Sequence, residues 1–273
     1  MQRHRTILAG VGLVWVLVVF LFSGCDWFSH LRQQENEIEK ATRAIESAQT
    51  DARRAEAYAE RGTAIGEKAR YSRAFKLIPG DEYARLLEMS LKDHGQAIAL
   101  APGNAEMYYR EGHTYYMQAF ATSDPVNDPM PKGYFESAKA KFTKAIELDP
   151  RHAGAWEFRG MANESVGDLD QAIADYTQLA GLQPKSRYRL ADAYCNRGYI
   201  NLTAKKQVDL AIGDYEKSIE IGSSADGCSC EPYNPLVGIY LIQKPDVEKA
   251  RAVVRRAQAS RKWIAPEYLE KLK

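Results

Sequence analysis

The sequence predicts an all-α protein built from consecutive short helix pairs. Three observations carry that prediction. A frame of 34 residues, read from Ala153 to Ser186, recurs about five times with Gly, Ala, aromatic and Pro residues in register. Long internal periods of this kind mark arrays in which each unit packs on its neighbours. The composition, 27% charged and 45% hydrophobic, is globular rather than disordered or fibrous. Lys+Arg at 37 against Asp+Glu at 36 leaves no strong field for nucleic acid or a membrane surface. Four cysteines are too few for a disulfide-dense scaffold.

The first element is a leader. Arg3, His4 and Arg5 precede an uncharged run, Ile7 to Phe22, and then Ser23-Gly24-Cys25. A basic head, an apolar stretch and small residues form a secretory signal. The cysteine after Ser-Gly resembles the lipobox of bacterial lipoproteins, with Phe22 where leucine is usual. That resemblance implies cleavage before Cys25, acylation of its thiol, and a body anchored by lipid in the bacterial cell envelope. An uncleaved anchor helix is the alternative, since the apolar run is near the lower limit for a span. Both readings put the body outside the cytoplasm. Asp26 resembles an inner-membrane retention signal. Loss of residues 1–24 removes two arginines and no acid, so charge would not hold the body on anionic lipid.

The repeat frames follow in order. Residues 25–50 hold the lipidated end and a capping helix, in which Ala41, Ile45 and Ala48 have the spacing of a second helix alone. The frame 55–104 keeps Tyr58, Gly62, Ala97 and Pro102 around a central insert, Tyr71 to Glu88, expected to pack on itself. The frame 105–152 keeps Tyr108, Gly112, Tyr115, Ala138, Phe142, Ala145 and Pro150 around a proline-rich insert, Ala121 to Ser137, expected as a surface loop. The frame 153–186 is the most regular, with Trp156 at position 4, Gly160 at 8, Ala172 at 20, Tyr176 at 24 and Pro184 at 32. The frame 191–224 gives Tyr194, Gly198, Ala211, Tyr215 and Ser218; the frame 231–264 gives Gly238, Leu241, Ala250, Val254 and Ala257. A closing cap spans 265–273. The residue types have a physical logic. Small residues let two antiparallel helices cross closely, aromatics fill the space between neighbours, and proline ends the second helix.

This pattern resembles the tetratricopeptide repeat family. The resemblance implies a right-handed superhelical solenoid over 51–264 that binds other proteins on its concave face. Carried over residue by residue, that face includes Glu106, Tyr109, His113, Tyr116 and Met117 from the second frame and Glu157, Met161 and Glu164 from the third. The fourth supplies Asp192, Cys195, Tyr199 and Leu202, with Asn196 placed to bond a guest backbone, and the fifth Ile239, Ile242 and Gln243. Such a groove suits an extended segment or a helix docked through large anchors. The carboxylate clamp of some family members is absent, because its position reads Thr63, His113, Met161, Tyr199 and Ile239.

No catalytic motif is present: no phosphate-binding glycine loop, no metal-binding helix pair of histidines, and no nucleophile elbow. His94 falls at an aromatic core position and is expected to be packed. Cys228 and Cys230 are too few to hold zinc with Cys195 alone. A disulfide from Cys195 to Cys228 or Cys230 is expected, because the loop carrying them returns to the end of the array where Cys195 sits and exported thiols oxidise. The expected function is a non-enzymatic, membrane-anchored scaffold with envelope proteins as partners, and with no cofactor, metal or nucleic acid. The alternative is a glycan- or peptide-binding groove or an accessory subunit of an envelope enzyme.

Overall fold

The computed structural model describes residues 29–121, 132–222 and 231–273. The leader with Cys25, most of the proline-rich insert and the segment with Cys228 and Cys230 lie outside the described residues. The described chain is all-α, with no strand. It divides into two compact units, the first ending at Leu148 and the second beginning at Asp149.

The first unit contains α1 (29–47), α2 (Asp51–Ala74), α3 (Gly80–Leu100), α4 (Ala105–Ala121) and α5 (Lys132–Leu148). Helix α2 pairs with α3, α4 pairs with α5, and α2 also packs on α4. The second unit contains α6 (Ala153–Ser165), α7 (Leu169–Leu182), α8 (Arg187–Thr203), α9 (Val208–Gly222), α10 (Tyr233–Gly238), α11 (Val247–Ala259) and α12 (Pro266–Glu270). There α6 pairs with α7, α8 with α9, and α10 with α11, while α7 packs on α8. Side-chain caps start several helices. Thr50, Asp168 and Asp246 accept from the backbone N–H groups of Arg53, Gln171 and Lys249, satisfying amides that the helix itself cannot.

The glycine and aromatic positions set the crossing distance within each pair. A methyl group built on Gly160 would lie 2.6 Å from the Tyr176 ring, and one on Gly112 would lie 2.8 Å from Phe142. Both contacts are closer than any side chain permits, so these crossings require glycine. Tyr176, Phe142, Ala172 and Ala138 are completely buried beneath them. In the first pair His94 takes the aromatic place, fully buried, with Nε2 3.0 Å from the Thr114 hydroxyl.

Three details depart from the frame. The central insert of the first pair lengthens α2 and α3, and Ile65, Ala69, Tyr83, Leu86 and Leu87 close on one another there with Ile78 alongside. Phe75 and Leu77 at its tip stay exposed. The second insert does not run as loop to Ser137, because α5 begins at Lys132. Phe135 explains the earlier start: it is buried against Tyr116 and Phe120, with ring centroids 5.7 and 5.5 Å away. In the fifth pair α10 ends at Gly238 and a π-helical turn, Ile239–Gln243, follows. Gly238 faces Tyr268 of the closing helix rather than Val254, so the cap supplies the ring that this repeat lacks.

A feature that the motif residues did not reveal pins the pairs from inside. Arg159 of α6 is held against Asp175 of α7 at 2.6 Å, and Asp175 also accepts from Asn163 at 3.0 Å. Arg197, Asp214 and Asn201 repeat this arrangement at 2.6 and 2.9 Å, and Arg61 and Asp93 repeat its ion pair at 2.7 Å. Each arginine lies over the aromatic ring three residues earlier: Tyr58, Trp156 or Tyr194. That spacing puts ring and guanidinium on one helix face. The hydrogen bond to Asp214 is the main reason the Arg197 guanidinium is held above its ordinary pKa, and Asp93 acts likewise on Arg61. In the second pair the charges are inverted, with Glu111 on the first helix and Lys141 on the second at 2.7 Å. In the fifth pair Val237 and Val253 occupy the same places, both buried.

Candidate functional site

In the first unit the capping helix α1 and the first helices α2 and α4 enclose a cavity of about 400 Å³. Its lining comes from Gln34 and Glu37 of α1, from Glu60, Thr63 and Ala64 of α2, and from Glu106, Tyr109, Arg110 and His113 of α4. Helical spacing puts Glu106, Tyr109, Arg110 and His113 on one face of α4, three or four residues apart. Tyr109 is braced from behind by Phe142, with centroids 6.0 Å apart, and from the side by His113 at 6.2 Å.

The electrostatics of the cavity centre on Arg110. It bonds Glu56 at 2.7 Å and Glu106 at 2.8 Å. Burial works against its charge, but the bond to Glu106 and the fields of Glu56, Glu106 and Glu60 outweigh that, so Arg110 stays firmly protonated. His113 is pushed the other way. Partial burial lowers its pKa, Glu67 opposes this and Arg70 adds to it, which favours the neutral imidazole near pH 7. Glu60 makes no ion pair among the described residues, and Glu37 faces only Lys40, loosely, at 3.5 Å.

The expected groove residues are not all placed alike. Tyr109 and His113 meet at this cavity. Tyr116 does not belong to a groove: it is 5% exposed and packs edge-on between Phe120 and Phe135. The shift of α5 toward its own N-terminus covers it. Met117 is half-buried and does not line the cavity. In the second unit Glu157 is paired with Arg189 at 3.1 Å, and Met161 packs on the cluster around Ala172 and Tyr176. Asn196 donates to Glu164 at 2.6 Å, and Glu164 accepts from the Tyr176 hydroxyl at 3.1 Å. Tyr199 and Ile242 are exposed, whereas Ile239 is buried in the core cluster with Tyr215, Leu236 and Tyr240. Cys195 is buried and disulfide-bonded; Cys25, Cys228 and Cys230 lie outside the described residues.

Gln34, Glu37, Glu60 and Arg110 are site residues that the motif did not flag. Arg110 and Glu60 occupy equivalent places in successive frames, one position after the expected groove residue, so the frame itself carried the signal. Gln34 lies on the cap and had none. Among the described residues no group of three or more His, Cys, Asp or Glu could hold a metal ion. Among them, too, no helix is long and apolar enough to cross a membrane.

The family profile described as Tetratricopeptide repeat matches residues 153–186, so this stretch is a tetratricopeptide repeat. Among solved structures, the chain is similar to the crystal structure of MamA, at 21% identity and a TM-score of 0.41, covering 64% of this chain and 88% of that one. It is also similar to TTC0263, a thermophilic tetratricopeptide protein of Thermus thermophilus, at 20% identity and a TM-score of 0.37, covering 70% and 92%. A third similarity is to human IFIT1, solved as a dimer with PPP-AAAA, at 18% identity and a TM-score of 0.45, covering 81% and 51%. No curated protein matches the sequence.

Proposed function

We propose that this tetratricopeptide repeat protein is a non-enzymatic scaffold, tethered to a membrane outside the cytoplasm, that grips a partner protein in the groove of its first unit. The observation that carries this reading is the cavity between α1, α2 and α4, with Tyr109 as a braced aromatic anchor in its wall. Proteins of this repeat type are generally interaction scaffolds, and aromatic anchors dominate binding at such surfaces. The lipobox-like Ser23-Gly24-Cys25 supports the tether. The disulfide at Cys195 supports an oxidising compartment, where thiols become bridged. Cys228 or Cys230 is its proposed partner.

A photo-crosslinking amino acid placed at position 109 in living cells tests the groove. Position 109 should yield a discrete adduct with a protein, and position 210, an exposed site on the outer helix α9, should yield none. Equal labelling from both positions, or none from 109, would remove the reading. Metabolic labelling with a fatty acid tests the tether: Cys25→Ser should abolish the label, and label that survives the substitution excludes lipidation there.

A further inference from the structure

We infer that the groove of the first unit selects an extended, cationic segment of its partner, rich in Lys or Arg; this rests on the reading of that groove as the partner site. Two independent observations point to such a guest. The first is charge. Four carboxylates, Glu37, Glu56, Glu60 and Glu106, stand in or beside the cavity with two cations, Arg110 in its wall and Lys40 beside Glu37. Arg110 is already engaged by Glu56 and Glu106, and Glu60 makes no ion pair among the described residues. Glu37 shares only the loose, exposed contact with Lys40. A basic guest side chain meets two carboxylates that are free to pair with it.

The second observation is Gln34. Its side chain lines the cavity, the residue is only 9% exposed, and its amide makes no hydrogen bond among the described residues. Its amide atoms stay open to the cavity, where the polar groups of a ligand can reach them. A side-chain amide offers one acceptor and two donors, which matches the carbonyl and N–H of a peptide backbone in extended form. Tyr109 then provides the ring against which an aliphatic stem of Lys or Arg packs, and the carboxylates meet its head. Gln34 reads the backbone, Tyr109 the stem, and Glu37 and Glu60 the charge.

The test has two arms. Sequencing the partner segment crosslinked at position 109 reads its charge directly. A segment rich in Lys or Arg supports the inference. An acidic or neutral segment overturns it while leaving the groove reading intact, and absence of any adduct overturns both. In the second arm, short synthetic peptides of alternating Lys and Ser, Glu and Ser, or Gln and Ser are titrated against the body of the protein. The lysine peptide should bind best, and its affinity should fall as salt rises. The pair Glu37→Gln and Glu60→Gln should weaken it by about tenfold and flatten the salt dependence. Gln34→Met, which keeps the volume, should weaken it by about tenfold and leave the salt dependence unchanged. Unfolding curves of each variant identify any that merely fail to fold. Equal binding of the three peptides, or affinity that none of these substitutions alters, overturns the inference.

Discussion

The two units carry the same repeat frame but use its first-helix face differently. In the second unit the polar residues of that face satisfy one another: Glu157 with Arg189, Asn196 with Glu164, and Glu164 with Tyr176. In the first unit the matching face leaves a cavity with Gln34 and Glu60 unpartnered. The interior shows the opposite economy. Every pair except the fifth is pinned by an ion pair at the same two places, yet the second pair inverts its sign and the fifth replaces it with valines. What the frame keeps inside is therefore complementarity, and the chemical identity of the groups is free to change. What it leaves open outside, in the first unit, is an uncovered polar face.

The interior comparison can be broken by stranding a charge. Arg159→Leu leaves Asp175 buried without its cation and should cost about 3–5 kcal/mol of stability, read by urea unfolding. Adding Asp175→Leu should recover most of that loss, as Val237 and Val253 do in the fifth pair. The parallel swap, Glu111→Arg with Lys141→Asp, should be more stable than Glu111→Arg alone. If neither double variant improves on its single variant, the ion pairs do not set how the helices meet.

The two tyrosines of α4 sharpen the contrast between face and core. Tyr116→Ala opens a hole between Phe120 and Phe135 and should cost about 3 kcal/mol. Tyr109→Ala should cost less than about 1 kcal/mol, because its ring is only partly buried, while abolishing capture of the partner. Equal losses of stability for the two would place Tyr109 in the core.

A pH-dependent effect distinguishes the first pair from its sisters. Burial pushes the His94 pKa down to about 3, with Arg110, Lys141 and His113 adding to the shift. The unfolded chain titrates near 6.5, so the folded state prefers the neutral ring. The contribution of His94 to stability is complete above about pH 6.5 and is lost as pH falls toward 3, by up to about 1.4 kcal/mol per pH unit. His94→Phe, which installs the ring type found at Phe142, should flatten that acid limb. An acid limb as steep as that of the parent would assign it to other groups.

The fold was legible because the paired helices cross by backbone approach. Only small residues fit at Gly112 and Gly160, only rings fill the space left at Phe142 and Tyr176, and these demands recur at a readable period. The burial of His94 followed from the same arithmetic. The arginine–aspartate pairs were equally periodic, but they lie outside the motif's small and aromatic positions and became visible only as distances. The site was harder to read, because which groove residue faces solvent depends on what the neighbouring helix covers. The early start of α5, which carries Phe135, buries Tyr116, and the core cluster of the fifth pair takes in Ile239. Gln34, on a cap with no repeat to compare it with, acquires meaning only where α1 meets α2 and α4 around a shared cavity. Local periodicity specifies which helices form and which faces pair; the end positions of helices and the packing of the caps, set by contacts distant in sequence, decide which of those faces stays open.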